Sequence, residues 1–318
     1  MSKAVTLQKT VSLLEDADRL VIVTHVNPDG DAIGSALALA EALRVKGKMV
    51  IVTIDDEISS FYKFMPGIDT FVRFSADEQV EADLLVVMDA SSLDRIGKVV
   101  NCVRAPILNI DHHVSNTGYA DYLYLDVMAC ATGEIVYELL RELSVTISKD
   151  MAFCLYVAIV TDCGYFKYSN TTPKCLNYAA ELLSIGVQPD VVSDFLEMKS
   201  RNDVNLLSKV LETLDFHHNG RIASIMISLE NYDADIATDS FIHYPRYIEG
   251  VEVAVMFKAV DAEVTRVSMR SRLLDVSRVA LSYGGGGHKR AAGFTLQAEL
   301  AVAKEQTLKR LTEEMDLL

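Results

Sequence analysis

Short, unbroken apolar runs rich in β-branched residues alternate with longer Ala- and Leu-rich stretches through the first half of the chain. Arg19-Leu-Val-Ile-Val-Thr24, Met49-Val-Ile-Val-Thr-Ile54, Asp83-Leu-Leu-Val-Val-Met88 and Pro106 to Ile110 predict strands, and residues 32–45 predict a helix between the first two. Strands that are apolar without alternation are buried on both faces, so they point to a parallel sheet covered by helices on either side. Helices then dominate, over residues 131–143, 149–161 and 172–185. Pro173 suits a first helical turn and Gly186 a C-terminal cap. Residues 189–214 are helical in pattern but more polar; they predict a linker helix, with a terminal helix of the first domain as the other reading.

The second half changes character. Asp215-Phe-His-His-Asn-Gly-Arg-Ile-Ala-Ser-Ile-Met-Ile-Ser228 has the pattern of a hairpin with the tight-turn dipeptide Asn219-Gly220. His217 and His218 fall at that turn with no third ligand nearby, and read as exposed loop histidines. Residues 251–260 and 264–270 predict two more strands. A helix from about residue 275 leads into the glycine loop Tyr283-Gly-Gly-Gly-Gly-His-Lys-Arg-Ala-Ala-Gly293, and a final amphipathic helix runs to the C-terminus. There is no internal repeat and no low-complexity tract. At 318 residues the chain is long for one hydrophobic core. Two α/β domains are expected, 1–188 and 215–318, joined by 189–214.

Composition narrows the function classes. Half of the residues are hydrophobic, as in a packed globular protein. No apolar stretch approaches the ~18 residues of a spanning helix, so no membrane partner is expected. The start shows no signal-peptide pattern. Five scattered cysteines without a C-x-x-C argue against a disulfide framework and against a zinc site, and for a reducing cytoplasm. Thirty basic against 45 acidic residues leave a net charge of −15, a poor balance for gripping long duplex DNA. Residues 261–293 depart from that balance, with Arg266, Arg270, Arg272, Arg278, Lys289 and Arg290 against three acids.

The candidate chemistry follows the strands. His25-Val-Asn-Pro-Asp-Gly-Asp31, Asp89 and Asp111-His-His113 each stand just past an apolar run, and Asp162 ends a helix-like segment. Ligands of open parallel sheets collect at the carboxyl ends of the strands. So many carboxylates buried together would repel one another and lose hydration, a cost that divalent cations remove. Carboxylate oxygens with one or two imidazoles suit Mn²⁺ or Mg²⁺. Pro28 and Gly30 permit a sharp turn, so that Asp29 and Asp31 can face different ions. Each cluster alone is ordinary, since Asp-Gly is a common turn and a strand-end Asp a common cap; four in order are not.

That order, with Thr161-Asp162 and the closing Gly284-Gly-Gly-Gly-His288-Lys-Arg-Ala-Ala-Gly293, resembles the DHH phosphoesterase superfamily, in the branch of oligoribonucleases and pAp phosphatases with a DHH-associated C-terminal domain. The resemblance covers nearly the whole chain and shows no departure at a ligand position. It implies an N-terminal parallel-sheet catalytic domain, a smaller α/β domain beyond a linker helix, and an active site in the cleft between them. One ion would be held by His25, Asp29 and Asp89, the second by Asp31, Asp89, His112 and Asp162, with Asp89 bridging. Asp111 would orient His112, His113 would meet the scissile phosphate, and Asn116 would lie near the substrate. Arg270, Gly285, Gly286, Gly287 and His288, with Arg272 beside them, would recognise the rest of the nucleotide. The glycines would do so by letting backbone N–H groups approach an anion.

The implied reaction is phosphoester hydrolysis by a water between two Mn²⁺ ions (Mg²⁺ being the other candidate) about 3.5–4 Å apart. Short RNA or linear dinucleotides would give 5′-mononucleotides, with pAp as a further substrate. A cyclic-dinucleotide phosphodiesterase is the alternative within enzymes. A pyrophosphatase of the same superfamily lacks the glycine-His loop, and a single-stranded-DNA exonuclease fits neither the length nor the charge. A nucleotide sensor without turnover is the alternative from another class. Homodimers are common in the family, and the sequence leaves oligomeric state open.

Overall fold

The computed structural model describes residues 2–231, 236 and 238–317, which fall into two compact units, Met1–Met198 and Lys199–Leu318. In the first, strands β1 (Lys3–Ala4), β2 (Arg19–Thr24), β3 (Met49–Thr53), β4 (Phe71–Val72), β5 (Leu84–Met88), β6 (Ile107–Asp111) and β7 (Tyr122–Leu125) form one sheet. Their order is β1-β7-β6-β5-β2-β3-β4 and every pairing is parallel. The helices are α1 (Leu7–Asp16), α2 (Gly30–Val45), α3 (Thr132–Glu142), α4 (Lys149–Asp162), α5 (Pro173–Ile185) and α6 (Pro189–Glu197).

The period of two within each strand separates two cores. Leu20, Ile22, Leu84, Val86 and Met88 face the larger one with α1 to α6. Val21, Val23, Leu85 and Val87 face a smaller one closed by Phe74, Ile96, Val99 and Cys102. Helix α2 is buried nearly all round, as its uninterrupted Ala and Leu content demands, and packs on α3 and α4 as well as on β2 and β3. Burying this helix fixes its N-terminal turn against the carboxyl ends of β2 and β5, where the acidic motifs lie.

The second unit has a mixed sheet of β8 (Asp215–His217), β9 (Ile222–Ile227), β10 (Val253–Ala259), β11 (Thr265–Ser271), β12 (Gly286–His288) and β13 (Ala291–Leu296). The order is β8-β9-β10-β11-β13-β12, with only β9 and β10 parallel. One face packs on helices α8 (Val276–Ser282) and α9 (Leu300–Met315) through Val253, Val255, Phe257, Val267 and Met269. Part of the other face is covered by α7 (Arg201–Leu211) through Leu206 and Val210. At the β8–β9 turn His217 and His218 are half-buried rather than exposed, and His217 Nε2 lies 3.0 Å from Ser224 Oγ.

Residues 189–214 do not form one helix. α6 ends at Glu197, and Ser200 opens α7 with a capping box: its side chain accepts from Asp203 N–H, and the Asp203 carboxylate accepts from Ser200 N–H. Such a reciprocal cap satisfies two helix-end donors and restarts the helix. The halves also serve different cores, Val192 and Leu196 in the first unit and Leu206 and Val210 in the second. Among the described residues no helix is long and apolar enough to cross a membrane.

Candidate metal centre

The strand order β6-β5-β2 sets three carboxyl ends side by side, bearing Asp111 to His113, Asp89 and His25. Asp29 is the N-cap of α2, its Oδ1 accepting from Ala32 N–H at 3.0 Å. Asp31 stands one residue into that helix, and Asp162 is the last residue of α4. Five elements thus deliver six side chains to one place.

Those side chains form two rings of donor atoms around Asp89. Its Oδ2 lies 3.6 Å from His25 Nε2, which is 3.9 Å from Asp29 Oδ2. Its Oδ1 lies 3.6 Å from His112 Nε2, which is 3.8 Å from Asp31 Oδ2 and 3.6 Å from Asp162 Oδ2. The donor atoms of His25, Asp29 and Asp89 lie within 4.8 Å of one another, as do those of Asp31, His112 and Asp162. Asp89 thus turns one oxygen to each ring.

Hydrogen bonds aim the histidines. His112 Nδ1 is 3.2 Å from the Ala129 carbonyl, and His25 Nδ1 is 2.9 Å from the Val26 carbonyl. For His112, an Nδ1–H donated to the Ala129 carbonyl leaves Nε2 with a free lone pair directed at the carboxylates. The Arg95 guanidinium stands 2.8 Å from His25 Nδ1 and brings a cation to the rim of this ring.

Asp111 does something other than expected. Its Oδ1 accepts from the His113 ring Nδ1 at 2.7 Å, and from the backbone N–H groups of His112 and His113 at 2.9 and 3.2 Å. It therefore orients His113, while the Ala129 carbonyl orients the His112 ring. The reason is directional: one carboxylate at a strand end holds both following N–H groups, and only the second ring folds back within reach. Asn116 is likewise not turned to solvent. Its Nδ2 donates to Asp111 Oδ2 at 2.6 Å and to Asn109 Oδ1 at 2.7 Å, and its Oδ1 accepts from Gly118 N–H, so it braces Asp111.

The sequence reading missed what holds Asp31 and Asp89. Asp31 accepts from Ser35 Oγ, Thr132 N–H and Gly133 N–H at 2.9, 2.6 and 2.8 Å. Thr132 and Gly133 open α3, whose N-cap Ala131 makes no side-chain bond, so Asp31 caps a helix remote in sequence. Thr132 Oγ1 donates to Asp89 Oδ1 at 2.8 Å. The signal was a poor N-cap residue, Ala131, before a strong helix. Asp89 itself sits at φ 58°, a left-handed backbone that strains a non-glycine residue and turns its carboxylate off the strand.

Electrostatics argue for a missing positive charge. Burial, with the charges of Asp89, Asp162 and Asp29, holds the Asp31 carboxyl well above the usual carboxylate range. Burial likewise pushes Asp162 up to about 6. Asp111 goes the other way: burial opposes its ionisation, but hydrogen bonds from His113 and Asn116 outweigh it. The Asp111 hydrogen bond in turn raises His113 to about 9, so its imidazole is protonated at neutral pH. Close, buried carboxylates with two imidazoles and no sulfur fit a pair of hard divalent cations.

The basic residues lie in the second unit. Arg270 on β11 and His288 on β12 both stand opposite Ala291 of β13, so the three share one row and one face of the sheet. Arg272 follows β11 and donates to the Arg246 carbonyl at 3.1 Å. The glycine run, expected as a loop, pairs with β13 as a strand. A Cβ on Gly285 would come within 2.3 Å of the Gly293 carbonyl oxygen. Gly287 combines φ +133° with an approach of 2.5 Å to the Ala291 carbonyl oxygen. These two glycines are set by strand packing; Gly286 meets nothing within 4 Å.

Each unit matches a known family. Residues 19–159 match the DHH family, N-terminal domain, and residues 223–316 match the DHHA1 domain. The bifunctional oligoribonuclease and PAP phosphatase NrnA of Thermus thermophilus is 34% identical over 298 residues, covering 93% of this chain and 90% of that protein. The Bacillus subtilis protein of the same name is 29% identical, over 95% of this chain and 97% of its own. Among solved structures, an exopolyphosphatase-related protein from Bacteroides fragilis superposes with a TM-score of 0.87 at 27% identity, over 96% of both chains.

Proposed function

The chain belongs to the DHH family, and from that premise we propose that it is a two-metal phosphoesterase that hydrolyses short oligoribonucleotides and linear dinucleotides to 5′-mononucleotides and removes phosphate from pAp. The observation that carries the reading is the division of the Asp89 carboxylate between the rings of His25 and His112. Relatives named for oligoribonuclease and PAP phosphatase activity match nearly end to end, which favours this substrate class over cyclic dinucleotides.

His25, Asp29 and Asp89 would hold one ion, and Asp31, Asp89, His112 and Asp162 the other; the oxygen-rich donor set favours Mn²⁺, with Mg²⁺ second. Such a pair, when bound, supplies an activated water and positive charge at the attacked phosphate. The protein's own groups do the rest. Asp111 holds His113 by Nδ1, leaving Nε2–H of a protonated ring as the donor to a non-bridging phosphate oxygen. Arg95 adds a second cation at the rim. Arg270 and His288, in one row with only the small Ala291 between, form a surface for a further phosphate or a base. Residues 1–188 are assigned to catalysis and 215–318 to substrate recognition. Five free cysteines favour a reducing compartment such as the cytoplasm, and oligomeric state would be read from light scattering, a dimer being the family's habit.

The test is a substrate panel with the purified protein and Mn²⁺: a 5′-labelled diribonucleotide, pAp, c-di-AMP and a 24-mer RNA, with products resolved by length. Turnover of the dinucleotide and pAp well ahead of the other two is expected. Preference for the 24-mer or for c-di-AMP, or no hydrolysis at all, overturns the reading.

A further inference from the structure

The cysteines, scattered in sequence, do not stay scattered. Cys130 precedes α3, Cys163 follows α4 and Cys175 lies in the first turn of α5, and all three are fully buried. The Cys163 thiol donates to the Val160 carbonyl at 3.8 Å, whereas Cys130 and Cys175 stand as neighbours. Glu134, in the first turn of α3 and 1% exposed, brings a carboxylate to the same spot. Ligand atoms of Cys130, Glu134 and Cys175 lie within 4.8 Å of one another, and no disulfide joins the thiols.

A core cysteine is usually a small apolar filler, and one or two here would be that. A buried carboxylate between two sulfurs is a different object, because an apolar filler gives no reason to bury a charge beside it. Glu134 accepts from Cys130 N–H at 3.3 Å through Oε2, and Lys174 Nζ stands 3.0 Å from Oε1. Lys174 is shared between Glu134 and Glu138, so two thiolates beside that carboxylate would call for a divalent ion to offset them. The first turn of α5 also points its positive end at Cys175, which favours thiolate there. Sulfur donors with one oxygen suit a soft or borderline ion, where the Asp89 centre, without sulfur, suits a hard one.

We propose that Cys130, Glu134 and Cys175 form a second metal site for a zinc-class divalent cation, separate in chemistry from the Asp89 centre. The expectation of no zinc site, drawn from spacing, is thereby reversed. The site is structural. It ties the start of α3 to the start of α5, and with them the segment that presents the Ala129 carbonyl to His112 and Thr132 to Asp89. Because the ligands converge only in the folded chain, loading accompanies folding.

The test is to produce the full chain in minimal medium with Co²⁺ replacing Zn²⁺ and record its near-ultraviolet spectrum. Thiolate-to-Co²⁺ charge transfer is expected with an amplitude of one ion per chain; the Asp89 centre has no sulfur and cannot give it. The band should persist in His25→Ala and vanish in the double variant Cys130→Ser, Cys175→Ser. On the unmodified protein from zinc-containing medium, an organomercurial should release one Zn²⁺ per chain as the thiols react. A packed thiol cluster only, with all five thiols titrating, no zinc released and no charge-transfer band, overturns the proposal without any variant having to fold. A band that survives the double variant overturns it as well.

Discussion

The Asp89 centre and the Arg270–His288 row are built on opposite plans. The central side chains of the first are held by other groups: Asp31 by three donors, Asp89 by Thr132 and His112 by a carbonyl, with Asp111 braced by Asn116 behind His113. The second is a strip of sheet in which Arg270, donating to the Met269 carbonyl at 3.0 Å, and His288 stand in one row across Ala291. Groups that must meet ions and a reacting phosphate within tenths of an ångström need immobile supports. Groups that recognise the remainder of a nucleotide act on its binding rather than on the reacting atoms. The two regions should therefore fail differently when altered, the first in kcat and the second in KM.

Asp89→Ala removes a carboxylate that serves both rings, and activity should fall roughly a thousandfold or more, with lost metal stoichiometry measured by elemental analysis. Residual activity within tenfold of the parent would break the bridging assignment. Asp111→Asn keeps the shape but takes the charge from behind His113; kcat should fall about 10–100-fold. In the parent, a ring held near 9 keeps its proton until the pH approaches that value, so the alkaline fall in rate should move toward the ordinary imidazole range in this variant. An unchanged alkaline limb would show that His113 is not the titrating donor. Arg270→Ala should raise KM for pAp about tenfold with kcat within a fewfold, read from initial rates. A loss confined to kcat would move Arg270 from recognition into the chemistry.

Removing the divalent ions tests the buried charges. Asp31 and Asp162 have raised carboxyl pKa values, so without metal the folded state holds more protons than the unfolded one between the ordinary carboxylate value and about 6. Stability of the chelated protein should then fall as pH rises through that window. Its Tm should be a few degrees higher at pH 5 than at pH 7, and added Mn²⁺ should cancel the difference. A chelated protein more stable at pH 7 would contradict the charge argument. The smallest effect distinguishes the glycines: Gly285→Ala should cost about 1–3 kcal/mol in denaturant unfolding, whereas Gly286→Ala should leave stability within about 0.5 kcal/mol. A tenfold rise in KM for Gly286→Ala would return the glycine run to anion binding.

Much of the first unit was legible because its signals are local. The runs beginning at Arg19, Met49, Asp83 and Pro106 became β2, β3, β5 and β6 within a residue or two, since continuous β-branched sequence has few other homes. The two-residue strands β1 and β4, and Tyr122–Leu125 with its aromatic, half-buried pattern, carry too little periodicity to be read. In the second unit, β13 was hidden behind the glycine run, which looks like a loop until β13 lies against it. The long helix over 189–214 failed at Ser200, where a local capping box outweighed helical periodicity on both sides.

The sequence by itself singled out the carboxylates and imidazoles that gather around Asp89, because each lies just past a strand or at a helix end and its chemistry is written in one residue. It also determined the fold class, through runs whose burial admits only a covered parallel sheet. Only the tertiary structure decided which group steadies which: that Asp31 caps α3, that Thr132 reaches Asp89, that Asp111 turns to His113 and not His112. It alone brought Cys130, Glu134 and Cys175 within 4.8 Å of one another. Such pairings depend on where helices end after packing, and helix packing sums many weak apolar contacts over the whole unit. No window of sequence contains that sum.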